Sequence, residues 1–161
     1  MKSIKYLFLA AIVFGVYACN HKPTIDELTN PPAALPASFK FDQLGLKVIT
    51  TFINKKQGTT STLYGNPLAL KTAIAGTNQI EAGEVFALVT WKQQDDQHWF
   101  GANIPGNLQQ VELLKSTSSI ENPIVLSYAC YEGKDLTLKA DTLNNQDRIK
   151  YILSQKPAVM P

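Results

Sequence analysis

The amino-acid sequence predicts an α+β domain, a mainly antiparallel β-sheet carrying two short helices. Three observations lead there. Leu44, Leu46, Val48, Thr50 and Phe52 fall at every second position, the period of a strand with one buried face. Two denser apolar runs, within 84–91 and 123–131, have strand length and are bounded by turn residues. Only two stretches, 66–76 and 143–155, combine helix formers with start or stop signals.

Taken in order, the strand over 44–53 has Ile49 and Ile53 off its alternation, which implies partial cover on its second face. Lys55-Lys56-Gln57-Gly58 reads as a hairpin connection, and the β-branched Thr59–Tyr64 as the return strand. Asn66 can cap free N–H groups, and Pro67 at the first helical position gives up no hydrogen bond. Leu68 to Ala75 continue that helix and Gly76 ends it.

After the Ala82-Gly83 turn, Glu84 to Trp91 is dense enough in apolar residues to be buried on both faces of the sheet. A polar break over 93–97 leads to His98, Trp99, Phe100 and Gly101, with Pro105-Gly106 read as a turn. Residues 107–115 form another strand, 116–119 a polar turn, 123–131 a strong strand, and 132–135 a tight turn before Leu136-Thr137-Leu138. Residues 143–155 close the fold as a helix with Leu143, Ile149, Ile152 and Leu153 on one stripe, stopped by Pro157.

The first residues carry an address. Lys2 and Lys5 precede an apolar run from Tyr6 to Ala18, the layout of a secretory signal and too short to span a bilayer. Val16-Tyr17-Ala18-Cys19 resembles a bacterial lipobox, with Tyr17 in place of the commoner small residue. The expectation is a signal peptide over 1–18, fatty acylation (palmitate or similar) at Cys19, a Pro-rich tether over 19–38, and one folded domain over 39–161. The mature protein is then exported and lipid-anchored to a membrane, periplasmic or at the cell surface.

Signal removal takes Lys2 and Lys5 away and leaves thirteen basic against thirteen acidic residues. With no basic stripe, nucleic acid is not an expected partner. With Cys19 lipidated, Cys130 stands alone and reads as a small buried hydrophobe in its strand.

Phosphate loops, nucleophile elbows, H-E-x-x-H and C-x-x-C are absent, so the motifs name no reaction. Asp95, Asp96 and His98 together offer oxygen and nitrogen donors, but neighbouring aspartates in a polar turn are ordinarily solvated, and no metal is expected. The tether's His21 reads as solvated. His98 is the better candidate, as acid, base or haem ligand, against a plain structural histidine. Trp91, Trp99 and Phe100 suit either core or the walls of a planar-ligand pocket.

Tyr64-Gly65-Asn66-Pro67 with its helix, the block from Glu81 to Gln93, and Asp96-Gln97-His98-Trp99-Phe100-Gly101-Ala102-Asn103-Ile104-Pro105 resemble the cytochrome P-460 family over about 48–136. That resemblance implies an exported, mainly β protein. The family's characterised enzymes carry a lysine-cross-linked c-type haem and oxidise hydroxylamine or bind nitrogen oxides. Covalent haem is not expected here, because C-x-x-C-H is missing. Two readings follow: a cofactor-free binding or structural module on a lipid anchor, meeting a small ligand, or a haem-dependent oxidoreductase holding haem non-covalently through His98, with Trp99 and Phe100 beside it.

Overall fold

A row of six strands, each beside its sequence neighbour and antiparallel to it, forms the sheet of this computed structural model. The structure describes residues 29–77, 79–121, 124–140 and 145–157. The strands are β1 (Lys47–Asn54), β2 (Thr59–Gly65), β3 (Val85–Asp95), β4 (Asn103–Thr117), β5 (Val125–Glu132) and β6 (Thr137–Leu138). Helix α1 (Pro67–Ala75) joins β2 to β3, and α2 (Asn145–Ser154) follows β6. The fold is the expected α+β, mainly antiparallel arrangement. The signal segment, Cys19, His21, Pro123 and Leu143 lie outside the described residues.

Both faces of the sheet are covered, as the density of β3 implied. Alternate residues of β3 divide between two cores. Phe86 and Leu88 join Ile49, Leu63, Leu114, Ala69 of α1 and Ile149 and Ile152 of α2 on one face. Ala87, Val89 and Trp91 join Leu108, Val111 and Leu113 on the other. Each fully buried Leu contributes about 1.5–3 kcal/mol, so the paired cores, rather than the two short helices, hold the body together.

The second face is covered by residues 31–44, of which composition assigns 31–38 to the tether and the rest to the domain. The chain divides into units at 1–30 and 31–161, so the packed body begins at Pro31. Three one-turn 3-10 helices, Pro31–Ala33, Ala37–Phe39 and Phe41–Leu44, bring Leu35, Phe39, Phe41 and Leu44 onto the core. Phe39 meets Tyr131 and Phe41 meets Tyr64 edge-to-face at 5.1 Å each. Trp91 Nε1–H donates to the Ala33 carbonyl at 2.8 Å. Prolines here shape a layer with few ladder hydrogen bonds rather than a solvated spacer.

Two local readings need correction. β1 does not bury Val48, which is exposed, because a register shift between Val48 and Thr50 leaves Ile49 as an extra residue and turns it into the helix-covered core. Pro105-Gly106 is not a turn but part of β4, beside an irregular register opposite Trp91 and Gln93. A Cβ on Gly106 would lie 2.9 Å from the Lys92 carbonyl oxygen, so only glycine fits. The turn between β3 and β4 falls instead at 96–102.

Helix α1 starts as the residues dictate. Asn66 Oδ1 accepts from the Ala69 N–H at 3.0 Å, Asn66 Nδ2 donates to the Gly83 carbonyl at 2.7 Å, and Gly76 ends the helix at φ 62°. Gly65 lets it sit close, since a Cβ there would lie 3.0 Å from Ala69 Cβ of the helix and 2.6 Å from Ile49 Cδ1 of β1.

Candidate functional site

The helix-covered face changes character along the strands. Phe86, Leu88 and Leu63 are apolar, but the next residue on the same face of β2, β3 and β4 is Ser61, Thr90 and Gln110 in turn. Register places Phe52, Ser61, Thr90 and Gln110 in one row across four strands. Ser61 and Thr90 are buried and share a hydrogen bond at 2.9 Å. Thr59 lies one step further along β2, also buried.

Helix α2 covers the apolar part and stops being apolar above this row. Ile149 and Ile152 enter the core, while Arg148 and Tyr151, on the neighbouring stripe, overhang Ser61 and Thr90. The result is a cleft of about 530 Å³ with a hydroxyl and amide floor. Tyr151 meets Phe52 edge-to-face at 6.1 Å, and the Arg148 guanidinium lies 4.8 Å from the centre of the Tyr151 ring.

Arg148 is held from below. Glu112 of β4 is 1% exposed and its carboxylate accepts four hydrogen bonds. Arg148 donates from Nε to Oε1 at 2.8 Å and from Nη2 to Oε2 at 2.5 Å. The Tyr128 hydroxyl donates to Oε1 at 2.6 Å and Gln110 Nε2 to Oε2 at 3.0 Å. A buried carboxylate with both oxygens satisfied is a rigid support, because any motion of Arg148 would strand its charge. Hydrogen bonds to Glu112 push the Arg148 guanidinium still higher in pKa. Burial first, and then the hydrogen bond to Glu112, raise the Tyr128 phenol well above its usual range.

A second buried carboxyl, Glu84, ties α1 to the sheet. Its Oε1 accepts from Thr72 Oγ1 at 2.5 Å and from the Glu81 N–H at 3.0 Å, and Oε2 is buried without a partner among the described residues. Another cleft, about 560 Å³, lies between α1 and the end of α2, against Thr72, Ala73, Phe86, Leu153 and Lys156.

The residues singled out from sequence lie outside the cleft beneath Arg148. His98, Trp99 and Phe100 all sit on the exposed β3–β4 turn, with Trp99 72% and Phe100 fully exposed. They form no walled slot, and a haem held by His98 there would have water on most of its surface, so these side chains as arranged do not fit an enclosed haem. Asp96 has a structural role: its Oδ1 accepts from the His98 backbone N–H at 2.8 Å and fixes the turn. Among the described residues no group of three or more His, Cys, Asp or Glu is placed to hold a metal ion. Trp91 is core.

Cys130 is buried on β5, and burial, then the nearby Glu112 and Glu132 charges, push its thiol up. Both effects suppress thiolate. A maleimide reagent at neutral pH should label the native chain slowly and the denatured chain stoichiometrically. Fast stoichiometric labelling of native protein would contradict the buried placement.

Sequence reasoning passed over Glu112, Arg148, Tyr128, Ser61, Thr90 and Gln110. A signal for Glu112 was available: a carboxylate inside Val111-Glu112-Leu113-Leu114, on a strand apolar on both parities, requires a buried partner. No protein-family model matches the chain, and no curated protein matches it.

Proposed function

We propose that this chain is an exported, lipid-anchored binding module, cofactor-free, with a cytochrome P-460-like domain that meets a small ligand in the cleft beneath Arg148. The observation that carries the reading is the polar row of Ser61, Thr90 and Gln110 set into an otherwise apolar face and left open under a fixed arginine. A sheet that needed only stability would continue the Leu63–Leu88 pattern there, since buried hydroxyls without full partners are costly. The lipobox-like Val16-Tyr17-Ala18-Cys19 supports the anchor, and the sequence blocks around 64–67 and 81–105 support the P-460-like assignment. Among the described residues no helix is long and apolar enough to cross a membrane.

Two measurements test this. Intact-mass analysis of protein from its native host should find an acylated Cys19 amino terminus; an unmodified terminus or a retained leader removes the anchor. Titration of the isotope-labelled full chain with a panel of sugars, amino acids, carboxylates and nucleosides should move the Ser61 and Thr90 amide resonances with at least one class. No movement with any of them removes the binding role. The second reading, non-covalent haem through His98, rests on the family resemblance. Haemin titration separates it: a Soret band lost in His98→Ala would favour haem, and no uptake would end it.

A further inference from the structure

The cleft's chemistry narrows the class of ligand. Arg148 is the one charged side chain in its lining among the described residues, and Glu112 cancels that charge. A free anion or cation entering would shed its water without meeting a net opposite charge. The remaining floor groups, the Ser61 and Thr90 hydroxyls and the Gln110 amide, can both donate and accept. In the Ser61–Thr90 hydrogen bond either oxygen can be the donor, so the pair adapts to a ligand group of either polarity. Phe52, beside Ser61 in the same row, and Tyr151 of α2 offer an aromatic wall. Mixed donors and acceptors, no net charge and an aromatic wall match a molecule whose hydroxyls both give and take hydrogen bonds and whose C–H face is apolar.

We propose that this cleft binds a neutral polyhydroxylated ligand, a mono- or disaccharide, with its ring against Phe52 and Tyr151 and its hydroxyls on Ser61, Thr90 and Gln110. The proposal rests on the reading of the cleft as a binding site. Its volume lies within the range of about 300–1000 Å³ common for small-ligand sites. Arg148 contributes N–H donors that Glu112 does not engage, as fixed hydrogen-bond donors rather than as a charge. Phosphosugars and dicarboxylates are disfavoured by the same cancellation that permits neutral sugars.

The test uses the full chain in a detergent lacking a sugar headgroup, with glucose, galactose, N-acetylglucosamine, maltose and cellobiose as probes and citrate, glutamate and glucose 6-phosphate as charged controls. Binding is followed by shifts of the Phe52 and Tyr151 ring resonances of the unsubstituted chain. At least one neutral sugar should saturate these shifts with a Kd at or below about 10 mM, the weak-binding range, and its phosphorylated or acidic counterparts should bind at least roughly tenfold more weakly. The double variant Ser61→Ala/Thr90→Val, near-isosteric and with both partners of the hydroxyl pair removed together, should keep its fold and lose roughly tenfold or more in sugar affinity. A charged probe that saturates the shifts while no sugar does overturns the sugar assignment and leaves the binding role standing. Sugar binding unchanged in a folded double variant overturns the site. Silence from every probe, extended to the amino acids and nucleosides, overturns both.

Discussion

Trp91→Ala should lower the thermal midpoint by roughly 10–15 °C, from a loss of about 4 kcal/mol in a domain of this size. Trp91 is 6% exposed and is the largest side chain in the core beneath the N-terminal layer. It touches that layer twice over, by packing and through the 2.8 Å hydrogen bond to Ala33. Removing the indole opens a cavity and frees the Ala33 carbonyl, while no neighbouring strand can move in to fill the space. The layer over 31–46 has few ladder hydrogen bonds, so it should loosen first, and limited proteolysis should cut there at lower temperature than in the parent. Fluorescence provides a second readout. The chain has two tryptophans, and with Trp91 gone emission comes only from the exposed Trp99, red-shifted and fully open to iodide. Trp99→Phe should change stability by less than about 0.5 kcal/mol, as exposed sites do. A Trp91→Ala midpoint within a few degrees of the parent would show that the N-terminal layer does not depend on this anchor.

This layer marks where the sequence was legible and where it was not. The meander of strands follows from local information: period-two apolar residues, Gly-containing turns, and the Asn66-Pro67 start with its Gly76 stop are written within a few residues of where they act. The extra residue at Ile49 escapes such reading, because alternation counts positions and a bulge changes the count only through the partner strand. Pro31, Pro32 and Pro36 give their segment a linker's composition, yet Ala33 and Leu35 within it, with Phe39, Phe41 and Leu44 just after it, are the apolar residues that the second face of β3 needed. The burial of β3 on both faces implied a second cover; nothing local said which segment supplied it. His98, Trp99 and Phe100 attract attention as residue types, but their spacing puts them on a turn. The cleft was invisible for the opposite reason. Glu112 and Arg148 are 36 residues apart and are joined only by sheet register and helix docking, so their chemistry exists in three dimensions alone.

Arg148→Met should cost about 3 kcal/mol, the lower end of the range for breaking a buried ion pair. Glu112, 1% exposed, would keep only the Tyr128 and Gln110 donors for a full negative charge. The lower end applies because the Arg148 side chain is 40% exposed, so water can follow it and solvate part of what is left. Methionine preserves most of the packing over Tyr151, which isolates the electrostatic part of the effect. Adding Glu112→Gln should restore more than half of the loss, since a neutral amide needs no counter-charge; a double variant no more stable than the single one would mean that packing, not charge, links α2 to β4. The alkaline limb gives an independent check on the same cluster. The Tyr128 phenol is raised in the fold, so its neutral form contributes stability that is complete below the ordinary tyrosine pKa of about 10 and declines as pH rises past it. Tyr128→Phe should flatten that decline while leaving Arg148 and Glu112 paired. Stability and recognition then separate by residue: Arg148→Met lowers both, because it removes the cleft's fixed N–H donors and the carboxylate's partner together, whereas Ser61→Ala/Thr90→Val lowers only recognition. A chain in which the two losses could not be separated would have a polar row that serves folding, and the opening beneath α2 would have no ligand to explain.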